Sequence, residues 1–362
     1  MRRVLRYGIT TGACAAASAK AALITLLNKP VDRVGIPSPI GIRFEILVKE
    51  SRKLSENTAV AYVIKDSGDD IDITNKLEIS ATVRLTDDGK IVIKGGNGIG
   101  IATKPGLPVS IGEPAINPIP RKMIEDAIKE VLPPGKGVEV LLSVIGGERI
   151  AEKTLNPKLG VIGGISILGT TGVVKPLSMD AYRRSLISQI DVAIAQGYER
   201  IFITPGNIGE RLAKQVFKVS EDAIIQTGDF MGYMLNKAVE KGVKEIIILG
   251  HPGKLVKLAA GIFNTHHKVG DARKEVIAAY AGANGANKEL ISMILQSNTT
   301  EEIIELLKQN DLLQPTFNEI AKRISLRSME RIENKAKIGA ILVSLDGNIL
   351  GMDENARCML HG

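Results

Sequence analysis

From about residue 160 onward, short apolar runs end in glycine turns and each is followed by a stretch of helical periodicity, an alternation that constrains the fold more than any other feature. GGISILG leads into GTTGVVKPLSMDAYRRSLISQIDVAIAQG, ERIFITPG into NIGERLAKQVFK, DAIIQTG into DFMGYMLNKAVEKG, and KEIIILG into HPGKLVKLAAGIFN. Four strand–loop–helix modules in succession predict a Rossmann-like, doubly wound and mostly parallel α/β domain over residues 161–362. Ser178 is a candidate N-cap and Gly197 a candidate C-cap of the first long helical stretch. Helical periodicity runs on to about residue 336. The tail KIGAILVSLDGNILGMD then reads as a hairpin turning at Asp346 and Gly347, and the sequence leaves open which sheet it joins.

The first 160 residues follow other rules and predict an α+β domain. An Ala-rich helix is expected at about 13–28, its small side chains permitting close packing. GIRFEILVKE, TAVAYVIKD, LEISATVRLTDDGKIVIKGG and GVEVLLSVIGG alternate or run apolar with β-branched residues, and DDG supplies a hairpin signal. Between about 95 and 120, GGNGIGIATKPGLPVSIGEPAINPIP is too rich in Gly and Pro for regular structure, and its length marks it as a functional loop.

At 362 residues the chain exceeds what one core usually organises, which supports two domains. Its two cysteines, Cys14 and Cys358, form no CxxC pair, so neither a zinc site nor a disulfide framework is expected, and a reducing cytoplasm fits best. The basic N-terminus reads as a soluble helix, because Gly8, Thr10, Thr11, Ser18 and Lys20 interrupt its apolar run. No stretch is apolar enough to span a bilayer. The net charge of +7 is spread along the chain, and with 3% aromatic residues and no Trp there is no base-stacking platform. Nucleic acid is therefore not expected as a partner, whereas an anionic small molecule suits the charge.

In open α/β sheets, ligands bind outside the carboxyl ends of the strands, where glycine lets the backbone approach and helix N-termini present N–H groups. The loops GTTG at 169–172, TPGNIGE at 204–210, TGD at 227–229 and GHPGK at 250–254 qualify. Gly169, Thr170, Gly206, Asn207, Gly209 and Asp229 become candidates to hold a cofactor, with Asp229 or Glu210 accepting from hydroxyl or ammonium groups. GHPGKLVK is not a Walker loop, since Pro252 and Leu255 break the pattern. GGNGIG starts no helix and reads as a loop.

Three of the four histidines cluster near one another in sequence: His251, His266 and His267, the last two just before Asp271 and Arg273. Adjacent histidines usually diverge, so anion or substrate contact competes with ordinary capping roles, and no metal site is expected. Cys14 reads as a small buried residue or a thiol acidified at a helix start.

LRYGITTGACAAASAKAAL, GTTGVVKPLS, ITPGNIGE and above all GHPGKLVKLAAGIFNTHHKVGDAR resemble the CbiD family, the cobalt-precorrin-5B (C-1)-methyltransferases of anaerobic cobalamin biosynthesis. The resemblance runs from about residue 5 to 273. It implies transfer of a methyl group from S-adenosylmethionine to carbon C-1 of a cobalt-loaded tetrapyrrole bearing acetate and propionate arms, the cobalt arriving within the substrate. The chain departs from the family pattern at Lys175, in QTGDFMG, and at His267, which leaves His266 as the matched histidine. His251 and Lys254 are the expected catalytic pair, Lys254 holding a carboxylate arm and His251 orienting it, accepting a proton, or simply capping its helix. Thr10, Thr11, Gly12, Lys257, His266 and Arg273 are the expected substrate contacts. A non-catalytic corrinoid or polyanion carrier is the alternative, and a homo-oligomer is compatible with either.

Overall fold

The computed structural model describes residues 4–361 and forms two compact units, one through Met179 and one from Asp180. Each combines helices and sheet, so the fold is mixed α/β.

In the first unit the helix Thr11–Leu27 is buried along almost its whole length, with Ala13, Cys14, Ala15, Ala16 and Ala17 fully enclosed. Only such small residues let a helix be covered on all sides: it packs on the strands Thr58–Ile64 and Glu78–Thr86 and on the helix Pro118–Lys129. Thr10 caps it, its hydroxyl accepting from the Ala13 N–H at 3.2 Å. Burial pushes the Cys14 thiol up to about 12, which keeps it protonated and inert.

The five-stranded sheet of this unit runs Glu50–Ser55, Thr58–Ile64, Glu78–Thr86, Gly137–Val144, Ile91–Gly95. The hairpin expected at DDG is therefore not formed. Gly137–Val144 inserts between its two arms, antiparallel to one and parallel to the other. Two features favour the insertion. Val138, Val140 and Leu142 are fully buried, as a central strand requires, and Gly137 fits beneath the turn, where a Cβ would lie 2.2 Å from Asp88 Oδ1. The Gly/Pro-rich segment contributes the two-residue strands Gly98–Ile99 and Ile101–Ala102, which pair with Gly164–Ile165 and Val161–Ile162.

That pairing corrects the first of the four expected modules. GGISILG is not a strand of the parallel sheet; residues 161–179 belong with the first unit, so the division falls about twenty residues later than expected. The other three modules form as read. Strands Arg200–Thr204, Ile224–Gln226 and Glu245–Gly250 lead into helices Asn207–Gln215, Met231–Glu240 and Pro252–Ala259. The second sheet has the order Ile224–Gln226, Arg200–Thr204, Glu245–Gly250, Lys337–Val343, Ile349–Met352, parallel except for the last pair. The terminal hairpin joins this sheet, turning through Gly347 at φ 92°, and the helix Glu354–His361 follows it. Ile201, Ile203, Ile246 and Ile248 are fully buried, as are Ile247 and Leu249 on the opposite face.

Candidate functional site

Three of the four parallel strands of the second unit, Ile224–Gln226, Arg200–Thr204 and Glu245–Gly250, end side by side, and their following segments are tied together by charged and hydroxyl side chains. Lys254, in the first turn of its helix, sends Nζ to Asp229 Oδ1 at 3.0 Å and to the Pro205 carbonyl at 3.5 Å. The same Asp229 oxygen accepts from the Thr265 hydroxyl at 2.8 Å, and the Thr265 N–H donates to the Asp229 carbonyl at 3.0 Å. Burial pushes the Asp229 carboxyl up, but the hydrogen bonds from Lys254 and Thr265 together with the Lys254 charge outweigh it and hold the group below the usual aspartate range. A second small network lies alongside, where Gln226 Nε2 donates to Asn207 Oδ1 at 2.9 Å and to Glu210.

The glycines of the TPGNIGE loop differ in role. Gly206 is extended at φ 167°, and a Cβ there would meet nothing within 4 Å. Gly209, also expected at the cofactor, is buried: a Cβ would sit 2.8 Å from the Leu249 carbonyl and from Thr204 Cβ, so its missing side chain lets the helix close onto the strands.

His251 is the N-cap of helix Pro252–Ala259. Its Nδ1 accepts from the Gly253 N–H at 3.1 Å, which leaves the proton on Nε2, and Nε2 meets Glu301. Both ring nitrogens are engaged, so in this arrangement the imidazole has no lone pair for a substrate proton and acts as a cap. Glu301, fifty residues away, has no local sequence signal.

Several expected substrate contacts are internal. Lys257 is 2% exposed and donates to the Thr265 carbonyl at 2.9 Å; burial lowers its pKa, although the Asp271 charge opposes the shift. It therefore supports the Thr265 segment from within the fold. Arg273 forms a two-pronged bond with Asp271 at 2.7 and 2.6 Å, which holds that carboxyl down at about 2. His266 accepts from the Lys268 N–H and stacks on His267 with ring centroids 4.5 Å apart.

Thr10, Thr11 and Gly12 meet the GTTG loop within the first unit. Thr11 Oγ1 accepts from the Leu168 N–H at 2.8 Å and lies 3.2 Å from its carbonyl; Gly12 N–H donates to the same carbonyl at 2.9 Å, and Thr10 N–H to the Gly172 carbonyl at 3.0 Å. Gly169, at φ 133°, leaves room for Thr10, whose Oγ1 would stand 2.4 Å from an added Cβ. Both hydroxyls and the N–H groups of Thr10 and Gly12 are thus engaged within the first unit, to which Gly169 and Thr170 also belong. Lys175 is exposed. Among the described residues, no three His, Cys, Asp or Glu are grouped to hold a metal ion, and no helix is long and apolar enough to cross a membrane.

A mixed α/β chain that gathers glycine loops and a lysine–carboxylate pair at the carboxyl ends of parallel strands has the site architecture of a small-molecule enzyme. A family profile described as CbiD matches residues 1–176 and a second, described as CbiD, C-terminal domain, matches residues 264–354. A cobalt-precorrin-5B C(1)-methyltransferase of Methanocaldococcus jannaschii is 49% identical, with 97% of each chain covered. Enzymes of the same name from Methanococcus vannielii and Moorella thermoacetica are 50% and 45% identical, over 95% and 99% of this chain and 95% and 97% of theirs. A solved cobalamin biosynthesis protein (cbiD) from Archaeoglobus fulgidus is 31% identical over 75% of this chain and 84% of that one, with a TM-score of 0.40. The chain belongs to the CbiD family and is a methyltransferase.

Proposed function

We propose that this enzyme methylates carbon C-1 of cobalt-precorrin-5B to give cobalt-precorrin-6A in anaerobic cobalamin biosynthesis, with S-adenosylmethionine as donor. Full-length relatives bearing that activity in their names support the reaction. For placing the donor, one observation carries the reading: Lys254, Asp229 and Thr265 strap three strand ends together beside Gly206, where open space stands in place of a side chain.

The sulfonium donor, when bound, supplies the methyl group: the bond to sulfur breaks, its electron pair stays on sulfur, and the ring carbon provides the pair for the new bond. Such a transfer needs alignment and exclusion of water more than an enzyme nucleophile. In this reading the carboxyl edge of a doubly wound sheet in the second unit holds the donor. The Gly206 backbone, Asn207 and Asp229 line it, and Lys254 offers its ammonium to a carboxylate arm of the ring while Asp229 keeps it in place. His251 fixes the start of the helix that carries Lys254. His266 follows Thr265 in the returning segment, Arg273 opens the next helix, and Lys257 supports the Thr265 end of the strap. The Thr10–Thr11–Gly12 turn with Gly169 and Thr170 stabilises the first unit.

Incubation with cobalt-precorrin-5B and methyl-labelled S-adenosylmethionine, read by mass and carbon NMR, is expected to show one added methyl at C-1. Tight tetrapyrrole binding with no methyl transfer would make the chain a carrier and overturn the reading.

A further inference from the structure

The helix Met179–Ser185 buries none of its residues, yet it carries Tyr182, Arg183 and Arg184. A helix with no buried face gains little from core packing, so its charged and aromatic side chains call for another account. Arg183 and Arg184, with Asp180 and Ile187, form one wall of a groove of about 560 Å³, whose other wall is the helix Met231–Glu240 with Tyr233 and Lys237, continued by Lys241. The Arg183 guanidinium lies 4.7 Å from the Tyr233 ring centroid and the Lys237 ammonium 5.8 Å from it, so one aromatic face is flanked by two cations. Tyr182, next to Arg183 on the same helix, packs on Phe230, the residue after Asp229, with ring centroids 6.0 Å apart.

Four cations face two carboxylates in this lining. Asp180 holds Arg183 and Arg184 on its own helix, and Glu240 holds Lys237. Lys241 reaches Asp191 at 2.5 Å. These pairs are short-range and partly exposed, the kind that solvent already weakens and that an incoming carboxylate can replace. Ile187 adds apolar surface to the lining.

We infer that this groove is a subsite for the carboxylate arms of the tetrapyrrole, with Arg183, Arg184, Lys237 and Lys241 as its cations and Ile187 and the uncovered part of Tyr233 as surfaces for the macrocycle's apolar edge. The inference rests on the reading of the substrate as a polycarboxylate tetrapyrrole. The volume is within the range of roughly 300–1,000 Å³ typical of ligand pockets, and a ring rimmed with acetate and propionate arms presents the matching combination of flat apolar body and multiple charges. A guanidinium binds a carboxylate through two parallel N–H bonds, which the adjacent Arg183 and Arg184 can offer to separate arms.

The test uses the full chain with the double variants Arg183→Gln/Arg184→Gln and Lys237→Gln/Lys241→Gln, and Lys308→Gln/Lys322→Gln as a control that removes two charges elsewhere. Binding is read with the octacarboxylate uroporphyrin and the tetracarboxylate coproporphyrin by absorbance titration, and turnover with cobalt-precorrin-5B. Each groove variant is expected to weaken uroporphyrin binding about tenfold, to narrow the preference for uroporphyrin over coproporphyrin, and to raise KM more than it lowers kcat. S-adenosylmethionine affinity and thermal stability stay near those of the parent. Salt lowers the parent's porphyrin affinity more steeply than the variants'. Groove variants that bind both porphyrins and turn over substrate like the control would overturn the subsite while leaving the methyltransferase reading intact. A parent protein that binds no tetrapyrrole and transfers no methyl group overturns both.

Discussion

Lys254 and Asp229 follow strands that have a third strand between them, and the lysine ammonium nevertheless lies 3.0 Å from the aspartate carboxylate. The bridge crosses above the end of Arg200–Thr204, whose following Pro205 carbonyl the same ammonium approaches. One side chain thus couples all three strand ends, and Thr265 ties the chain returning from the last helix to the same carboxylate oxygen. Loops tied together in this way keep one arrangement, and a ligand binding there would not have to order them.

Asp229→Asn tests the strap through pH. Because the folded carboxyl titrates below its usual range, its stabilising contribution is full above the unfolded value of about 3.9 and is lost as pH falls through the folded value. The parent should unfold at higher temperature than the variant near neutral pH, with the gap closing below about pH 4. A gap that stays constant down to acid pH would show that charge is not what the carboxylate contributes.

The two glycines of the 206–209 turn should separate binding from folding. Gly206→Ala meets no neighbour and no backbone strain, so the fold holds while S-adenosylmethionine affinity, measured by calorimetry, drops by about tenfold or more. Gly209→Ala presses on the Leu249 carbonyl and Thr204 and should cost about 1–3 kcal/mol of stability, seen in thermal unfolding. Unchanged donor affinity in Gly206→Ala removes this loop from the site.

At His251, asparagine is the informative replacement, since it caps helices well but cannot meet Glu301 in the same way. His251→Asn should keep kcat within about tenfold of the parent, as a positioning residue predicts, and His251→Ala should also lose about 0.5–2 kcal/mol of stability. A loss of about 100-fold or more in kcat for a folded His251→Asn enzyme would restore the general-base role.

Thr11→Val removes the hydroxyl that meets both backbone groups of Leu168, leaving the Leu168 N–H without that partner. The expected outcome is about 1–3 kcal/mol lower stability with unchanged tetrapyrrole KM. A higher KM in a variant as stable as the parent would mean that the turn contacts substrate.

Much of this architecture is legible in short windows. The Ala-rich helix, three strand–loop–helix modules and the turn at Gly347 all follow from local periodicity and from residues suited to one backbone conformation. The motifs were legible too: TPGNIGE, TGD and GHPGK do converge at one sheet edge, because successive parallel modules deliver their loops to the same side.

Which distant segment answers each motif was not legible. DDG looks like a hairpin until Gly137–Val144 is found between its arms, and GTTG looks like a fourth sheet loop until it is found against Thr10, with the preceding Leu168 bonded to Thr11 and Gly12. The difference has one cause. Periodicity and glycine placement report how a segment is buried and bent, and these are properties of the segment itself. A hydrogen bond between Lys254 and Asp229, or between His251 and Glu301, depends on which remote side chain closes the gap, and only the folded chain supplies that partner. The sequence by itself determined the elements and the chemistry available at their ends; the tertiary structure decided that His251 caps, that Lys257 is buried, and that Asp229 joins the loops.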